Sequence, residues 1–305
     1  MNIAYLIQCH KNPQQINLLT EELTRGNADV YIHLDKKANG IRWEIHTNER
    51  IILLPEEASI PVFWGTFSQC EASLALLRKA VCSGKNYDYF WLISGQDLPL
   101  KPQKKIEELL EEANGADFIE IMQDTAVGYG RFEKRNAVYH IPYFMSRSVP
   151  SKIVKRIWYM FTGGMEYTRK VFQRKAPFDR LYYGSSWWCF SKDTSVKIMN
   201  MLKENDKIEE FFMHSGNPDE SFFHSLFMSL KLDKNIRSPL LYLEWEQKAS
   251  SPKTFTVQDL VSLRAVDDCC FARKFDVRTD KQIIDGIYTM LREKVVSKDK
   301  LCDSK

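Results

Sequence analysis

Glu220, the last residue of Asn217-Pro218-Asp219-Glu220, stands directly before the apolar run Ser221-Phe222-Phe223-His224-Ser225-Leu226-Phe227. A carboxylate set among apolar side chains keeps its proton more readily than one in water, which suits a general base near neutral pH. The same residues also spell a helix start. Asn217 is a good N-cap, Pro218 a good first helical residue, and Glu220 follows the cap by three, as in a capping box. Elsewhere, Phe271-Ala272-Arg273-Lys274-Phe275 places two cations between aromatic residues. Such a pair at a strand end can neutralise a diphosphate leaving group as a metal ion would, with Arg adding bidentate geometry. It also fits a solvated surface pair. Two carboxylates complete the set: Asp35 closes the strand-like run Val30–Leu34, and Asp97 closes Ser94-Gly95-Gln96-Asp97. Acids at the carboxyl ends of strands serve either a ligand or a turn.

Other chemistries find less support. Glu220 and His224 are spaced i, i+4, as two metal ligands on one helical face would be, but no second His-rich helix completes a site. The loop after the Trp91 strand offers Asp97, with Gly95 where a second acid would stand, so no divalent metal is expected. There is no G-x-G-x-x-G after the first strand and no G-x-x-x-x-G-K-[ST], which argues against a dinucleotide oxidoreductase and a P-loop enzyme. The 43 basic and 40 acidic residues leave a net charge of +3, without the footprint of a nucleic-acid binder. No apolar run approaches the roughly 18 residues of a membrane span. Met1–Gln8 reads as a first strand rather than a signal peptide. Seven cysteines without a C-x-x-C pair suit reduced thiols. The expected location is the cytoplasm.

The elements that must hold these residues alternate. Ile3–Gln8 is a strand, Asn12-Pro13 opens a helix through about Leu23, and Asp29–Leu34 is a strand again, a βαβ unit with parallel strands. Ile51–Leu54, Tyr89–Ile93, Asp117–Met122, Tyr183–Phe190 and Leu240–Leu243 read as further strands. Helices are expected from the capping box Ser68-Gln69-Cys70-Glu71, from Pro102, over Thr194–Leu202 and Asp206–Met213, over Pro218–Leu230, from Val257, and from Asp280 to about Arg292. The class is α/β: an open, mostly parallel sheet with helices on both faces. One domain is expected over residues 1–292, with a polar tail over 293–305. Residues 123–178 form an irregular insertion with one helix at Ser151–Phe161. A long irregular stretch inside a domain is more often a binding lid than a linker. Its basic and aromatic residues (Arg147, Lys152, Lys155, Arg156, Trp158) suit peripheral contact with an anionic membrane that carries a lipid-linked acceptor.

In order, the segments Tyr5–His10, Tyr31–Lys37, Trp64–Ser68, Leu92–Lys101, Tyr183–Trp188, Pro218–Phe223, Ser251-Pro252 with Phe255 and Asp259-Leu260, and Phe271–Phe275 resemble one family. It comprises the core-2/I-branching N-acetylglucosaminyltransferases and the peptide O-xylosyltransferases. The resemblance implies a GT-A fold, a UDP-sugar donor, a glycan acceptor, and inverting transfer without a metal or other cofactor. By position it makes Glu220 the base and Arg273 and Lys274 the diphosphate clamp. Asp35 would face the uracil, and Asp97 the ribose or sugar of the donor. Glu120, Arg131 and Trp245 would contact the acceptor. A phosphate-binding arginine of some core-2 enzymes aligns near Ser250, where Lys248 or Lys253 could stand in. Phe-Ala-Arg-Lys-Phe is closer to xylosyltransferase wording, and Pro-Asp-Glu to branching-enzyme wording, so N-acetylglucosamine and xylose both stay open as the donor sugar. The rivals from other classes are a non-catalytic glycan-binding module and a metal-dependent hydrolase built on Glu220 and His224.

Overall fold

Strand β1 (Ile3–Cys9) is buried at every position but Gln8, and β2 (Ala28–Leu34) is buried throughout. Near-continuous apolar strands of this kind belong to the interior of a parallel sheet. Helix α1 (Pro13–Leu23) makes the crossover between them, and β1 pairs parallel with both β2 and β4 (Tyr89–Ser94). The computed structural model describes residues 1–126, 129–141, 149–164, 174–232, 235–246, 249 and 251–302. The sheet is completed by β3 (Ile51–Leu53), β6 (Asp117–Ile119), β7 (Trp188–Ser191) and β8 (Ile236–Arg237), in the order β3-β2-β1-β4-β7-β6-β8. Only β7 runs antiparallel to its neighbours. This is the open, mostly parallel α/β sheet that the sequence predicts.

Both faces are covered. Ile3, Tyr5 and Ile7 point to one side, where Ile16, Leu19 and Leu23 of α1 pack with Ile106 and Leu110 of α3 (Gln103–Ala113). Ala4 and Leu6 point to the other. There they meet α2 (Ser68–Val81), α6 (Lys192–Glu204), α7 (Lys207–Met213) and α8 (Phe222–Ser229). A second, three-stranded sheet has the order β5-β10-β9, from β5 (Asp97–Pro99), β9 (Leu241–Leu243) and β10 (Phe271–Arg273). Its own core joins it to α9 (Leu260–Arg264) and α10 (Lys281–Cys302).

Several boundaries differ from the sequence reading. The expected strand over 183–190 forms only from Trp188, because Gly184-Ser185-Ser186 leave the sheet as a loop. The expected helix over 218–230 is a 3-10 turn at Pro218–Glu220 followed by α8, with Ser221 between them at φ −144°. Ser68 does not cap α2; its Oγ instead accepts the N–H of Phe63 at 2.8 Å. Among its described residues the insertion carries two helices where one was expected, α4 (Tyr129–Ala137) and α5 (Val149–Thr162). Asp280 does cap the last helix, accepting the N–H groups of Gln282 and Ile283, but that helix runs to Cys302 rather than Arg292.

Candidate active site

The loop Ser185-Ser186-Trp187, just before β7, ties together the residues singled out by sequence. The Ser185 N–H donates to Glu120 Oε2 at 2.8 Å. The Ser186 hydroxyl donates to Asp219 Oδ2 at 2.7 Å, beside Glu220. The Trp187 ring lies 4.5 Å under the Arg273 guanidinium. The loop is held from below as well. The Gly184 N–H donates to the Glu220 carbonyl at 3.0 Å, and His224 Nε2–H donates to the Ser185 carbonyl at 3.0 Å. A Cβ on Gly184 would lie 2.1 Å from the Glu120 carbonyl oxygen, so this close approach needs glycine.

Glu220 sits on the 3-10 turn above an aromatic floor. Phe222 meets Phe67, Phe212 and Phe223 at ring-centroid distances of 5.2, 5.2 and 5.0 Å. Burial, with the neighbouring Asp219 charge added, pushes the Glu220 carboxyl up to about 7. Arg135 opposes this: its Nη1 donates to Glu220 Oε2 at 2.8 Å. Asn217 takes a left-handed conformation and makes no side-chain cap, so the capping reading of the segment does not hold. Nor do Glu220 and His224 share a helical face, because Ser221 interrupts the helix between them. His224 is fully buried and neutral, with burial holding its pKa near 4.

The cations gather where β1 and β10 end. Arg273 faces Asp97 across the β5–β10 ladder, and its Nη1 donates to Asp97 Oδ1 at 2.8 Å. Asp97 has no exposed surface (0%), and its other oxygen accepts the Ser94 N–H at 2.8 Å. Any influence of Asp97 on a bound donor would therefore pass through Arg273. Lys274 has no ion-pair partner among the described residues. Its pKa is lowered by partial burial and then by Lys11 and Arg273. His10 is lowered likewise, by burial, Lys11, Lys274 and Arg273, against Asp35. The positive charges of Lys11, Arg273 and Lys274 thus act on one another and on His10, although Arg273 is paired with Asp97. Lys11 is partly neutralised by Asp276 at 2.5 Å.

Asp35, buried at the end of β2, accepts N–H groups from Lys37 at 2.9 Å and Val62 at 3.3 Å. It thereby holds the loop that carries the exposed Phe63 and Trp64, with Lys37 lying 4.6 Å over the Phe63 ring. That loop reaches the Glu220 turn: the Asn217 N–H donates to the Gly65 carbonyl at 3.0 Å.

On the remaining side, exposed Glu120 borders a groove of about 480 Å³ lined also by Ser185, Arg237, Ser238 and Leu243. Trp245 is 58% exposed just beyond β9. Arg131 lies on α4, but its side chain is outside the described part; Arg135, one turn further on, is the residue on Glu220. Lys253 is already paired with Glu244 (3.2 Å) and Asp259 (2.7 Å), and Lys248 and Ser250 are outside the described residues. Sequence reading assigned no role to His10, Lys11, Arg135, Asp219 or the 185–187 loop. His10-Lys11 follows β1 at its carboxyl end, the position that had flagged Asp35, and was findable by the same rule.

Residues 3–264 match the model of the core-2/I-branching enzyme family, and the chain belongs to that family, one of glycosyltransferases. A xylosyltransferase of Ciona intestinalis is 20% identical over 94% of this chain and 34% of its own length. A beta-1,3-galactosyl-O-glycosyl-glycoprotein beta-1,6-N-acetylglucosaminyltransferase 4 of Danio rerio is 22% identical over 96% and 70%. The xylosyltransferase oxt of Drosophila melanogaster is 22% identical over 90% and 32%. The chain thus spans about a third of the length of these xylosyltransferases. Among solved structures, apo mouse xyloside xylosyltransferase 1 is similar at a TM-score of 0.36 and 10% identity, covering 89% of this chain and 97% of that one.

Proposed function

We propose that this chain is an inverting glycosyltransferase that moves a sugar from a UDP-sugar to a glycan hydroxyl without a divalent metal. The observation that carries the reading is the Ser185–Trp187 loop, which couples the Glu220 turn to Arg273. In a single displacement Glu220 takes the proton of the acceptor hydroxyl. The acceptor oxygen forms its bond to the anomeric carbon while the bond to the UDP oxygen breaks on the opposite face. Arg273 and Lys274, with His10 and Lys11 behind them, meet the charge that develops on the diphosphate. A base with its pKa near operating pH is the efficient one for this task. Asp35 fixes the Phe63–Trp64 loop on the nucleoside side. Glu120, Arg131 and Trp245 serve the acceptor.

N-acetylglucosamine is the favoured sugar. Xylose is the second reading, supported by the number of relatives named xylosyltransferases. A cytoplasmic site of action is consistent with the free, buried thiols of Cys9, Cys70, Cys189, Cys269 and Cys270. The test is a thermal-shift panel of UDP, UDP-GlcNAc, UDP-xylose and UDP-glucose with and without EDTA. A ligand at about 100 times its Kd adds roughly 2.7 kcal/mol, so the true donor and UDP should raise the Tm clearly, with EDTA making no difference. Stabilisation by UDP that requires manganese would overturn the metal-free reading. Stabilisation by none of them would overturn the donor class.

A further inference from the structure

Helix α5 has the sequence VPSKIVKRIWYMFT, which contains three cations and no acid. Six of the fourteen exposed large apolar side chains among the described residues lie on it: Val149, Ile153, Val154, Ile157, Met160 and Phe161. Met160 is 73% exposed and Phe161 83%. At 3.6 residues per turn these six fall within an arc of about 140°, and Lys152 and Arg156 lie along one edge of it. Ser151, fully buried, marks the side turned toward the protein. An exposed apolar stripe of this size costs free energy in water and marks a surface that meets something else. A basic flank beside it is what a helix lying in the plane of an anionic bilayer presents. No helix among the described residues is long and apolar enough to cross a membrane, and at 14 residues α5 would extend only about 21 Å.

We propose that α5 docks the protein on an anionic lipid surface, with its apolar stripe in the headgroup boundary and Lys152 and Arg156 on the lipid phosphates. The lipid is recognised by charge and depth rather than by headgroup identity. In the same insertion α4 carries Arg135, the partner of Glu220. The sequence reading placed basic residues of this insertion on a membrane. The structure adds the apolar stripe and the helix face that makes the contact. The proposal does not depend on which sugar is transferred.

The test is co-sedimentation of the full chain with vesicles of phosphatidylcholine alone and of phosphatidylcholine mixed with phosphatidylglycerol. The chain should bind the mixed vesicles, weaken as salt is raised, and stay in solution with phosphatidylcholine alone. The triple variant Ile153→Ser, Ile157→Ser, Phe161→Ser should lose binding by about tenfold or more, as should Lys152→Glu with Arg156→Glu. Each variant should keep the wild-type Tm and its shift with UDP, which separates loss of docking from loss of fold or of donor binding. The charge pair lies on the exposed face, so it tests the proposal even if the triple variant fails to fold. Wild-type protein that ignores anionic vesicles would overturn the proposal. So would sedimentation velocity showing a dimer that the triple variant splits into monomers, because the stripe would then belong to a second copy.

Discussion

Glu220 owes its raised pKa to burial and to Asp219, and Arg135 works against both. If Glu220 is the base, kcat/KM should rise with pH through about 7 and then level. Replacing Arg135 with Met removes the charge that holds the carboxyl down, so the midpoint of that profile should move to higher pH; a pH–rate profile of the variant checks this. The effect on stability has the opposite sense. A carboxyl whose folded pKa lies above its unfolded value binds more protons when folded, so this site loses stability as pH rises from about 4.5 to about 7. Glu220→Gln should therefore cost little or no stability at pH 8. At the other end of the site, Lys274→Ala should weaken UDP binding by about 1.5–3 kcal/mol in calorimetry, the range for hydrogen bonds to charged groups. These two residues were legible in the sequence because each sits in a distinctive short string. Arg135 was not, since one arginine among the charged residues of α4 carries no local mark. Asp97 was legible as a strand-end acid, but its burial against Arg273 depends on a ladder between strands 176 residues apart.

The loop before β7 shows how elements decide the site. The sequence reading ran a strand through Tyr183–Phe190, a segment rich in aromatic β-formers. Close approach of the Glu120 backbone at Gly184, and hydrogen bonding by Ser185 and Ser186, won over that propensity. Gly184→Ala must push against the Glu120 carbonyl at 2.1 Å, a backbone atom that cannot swing aside. It should destabilise the protein by about 1–3 kcal/mol in urea unfolding, as overpacking typically does. It should also lower transfer activity beyond what its stability loss explains. A Gly184→Ala protein with wild-type stability would show that the loop is not held as described. The break at Ser221, a buried residue at φ −144°, separates Glu220 from α8.

Across the whole molecule the alternation of strands and helices was legible, since seven-residue apolar strands such as β1 and β2 can be buried only in a sheet covered on both faces. The small sheet was not, because its strands of three residues lie far apart in the chain. Its pairing is what brings Arg273 to Asp97. The same packing buries two neutral histidines, His33 under Ile60 and His224 under Ser185. Burial lowers both to about 4, with Asp35 opposing at His33. Unfolded histidines bind protons below about 6.5, so these two sites cost stability as pH falls from about 6.5 to about 4, opposite in sense to Glu220. Urea midpoints measured across that range should fall, and less steeply in His33→Gln.

The most direct measurement of the account is sugar transfer by Glu220→Gln, with UDP affinity measured on the same preparation. Loss of a general base should lower kcat by on the order of 100- to 10,000-fold, with UDP binding and Tm close to wild type. Turnover at the wild-type level would contradict the assignment of Glu220 as the base.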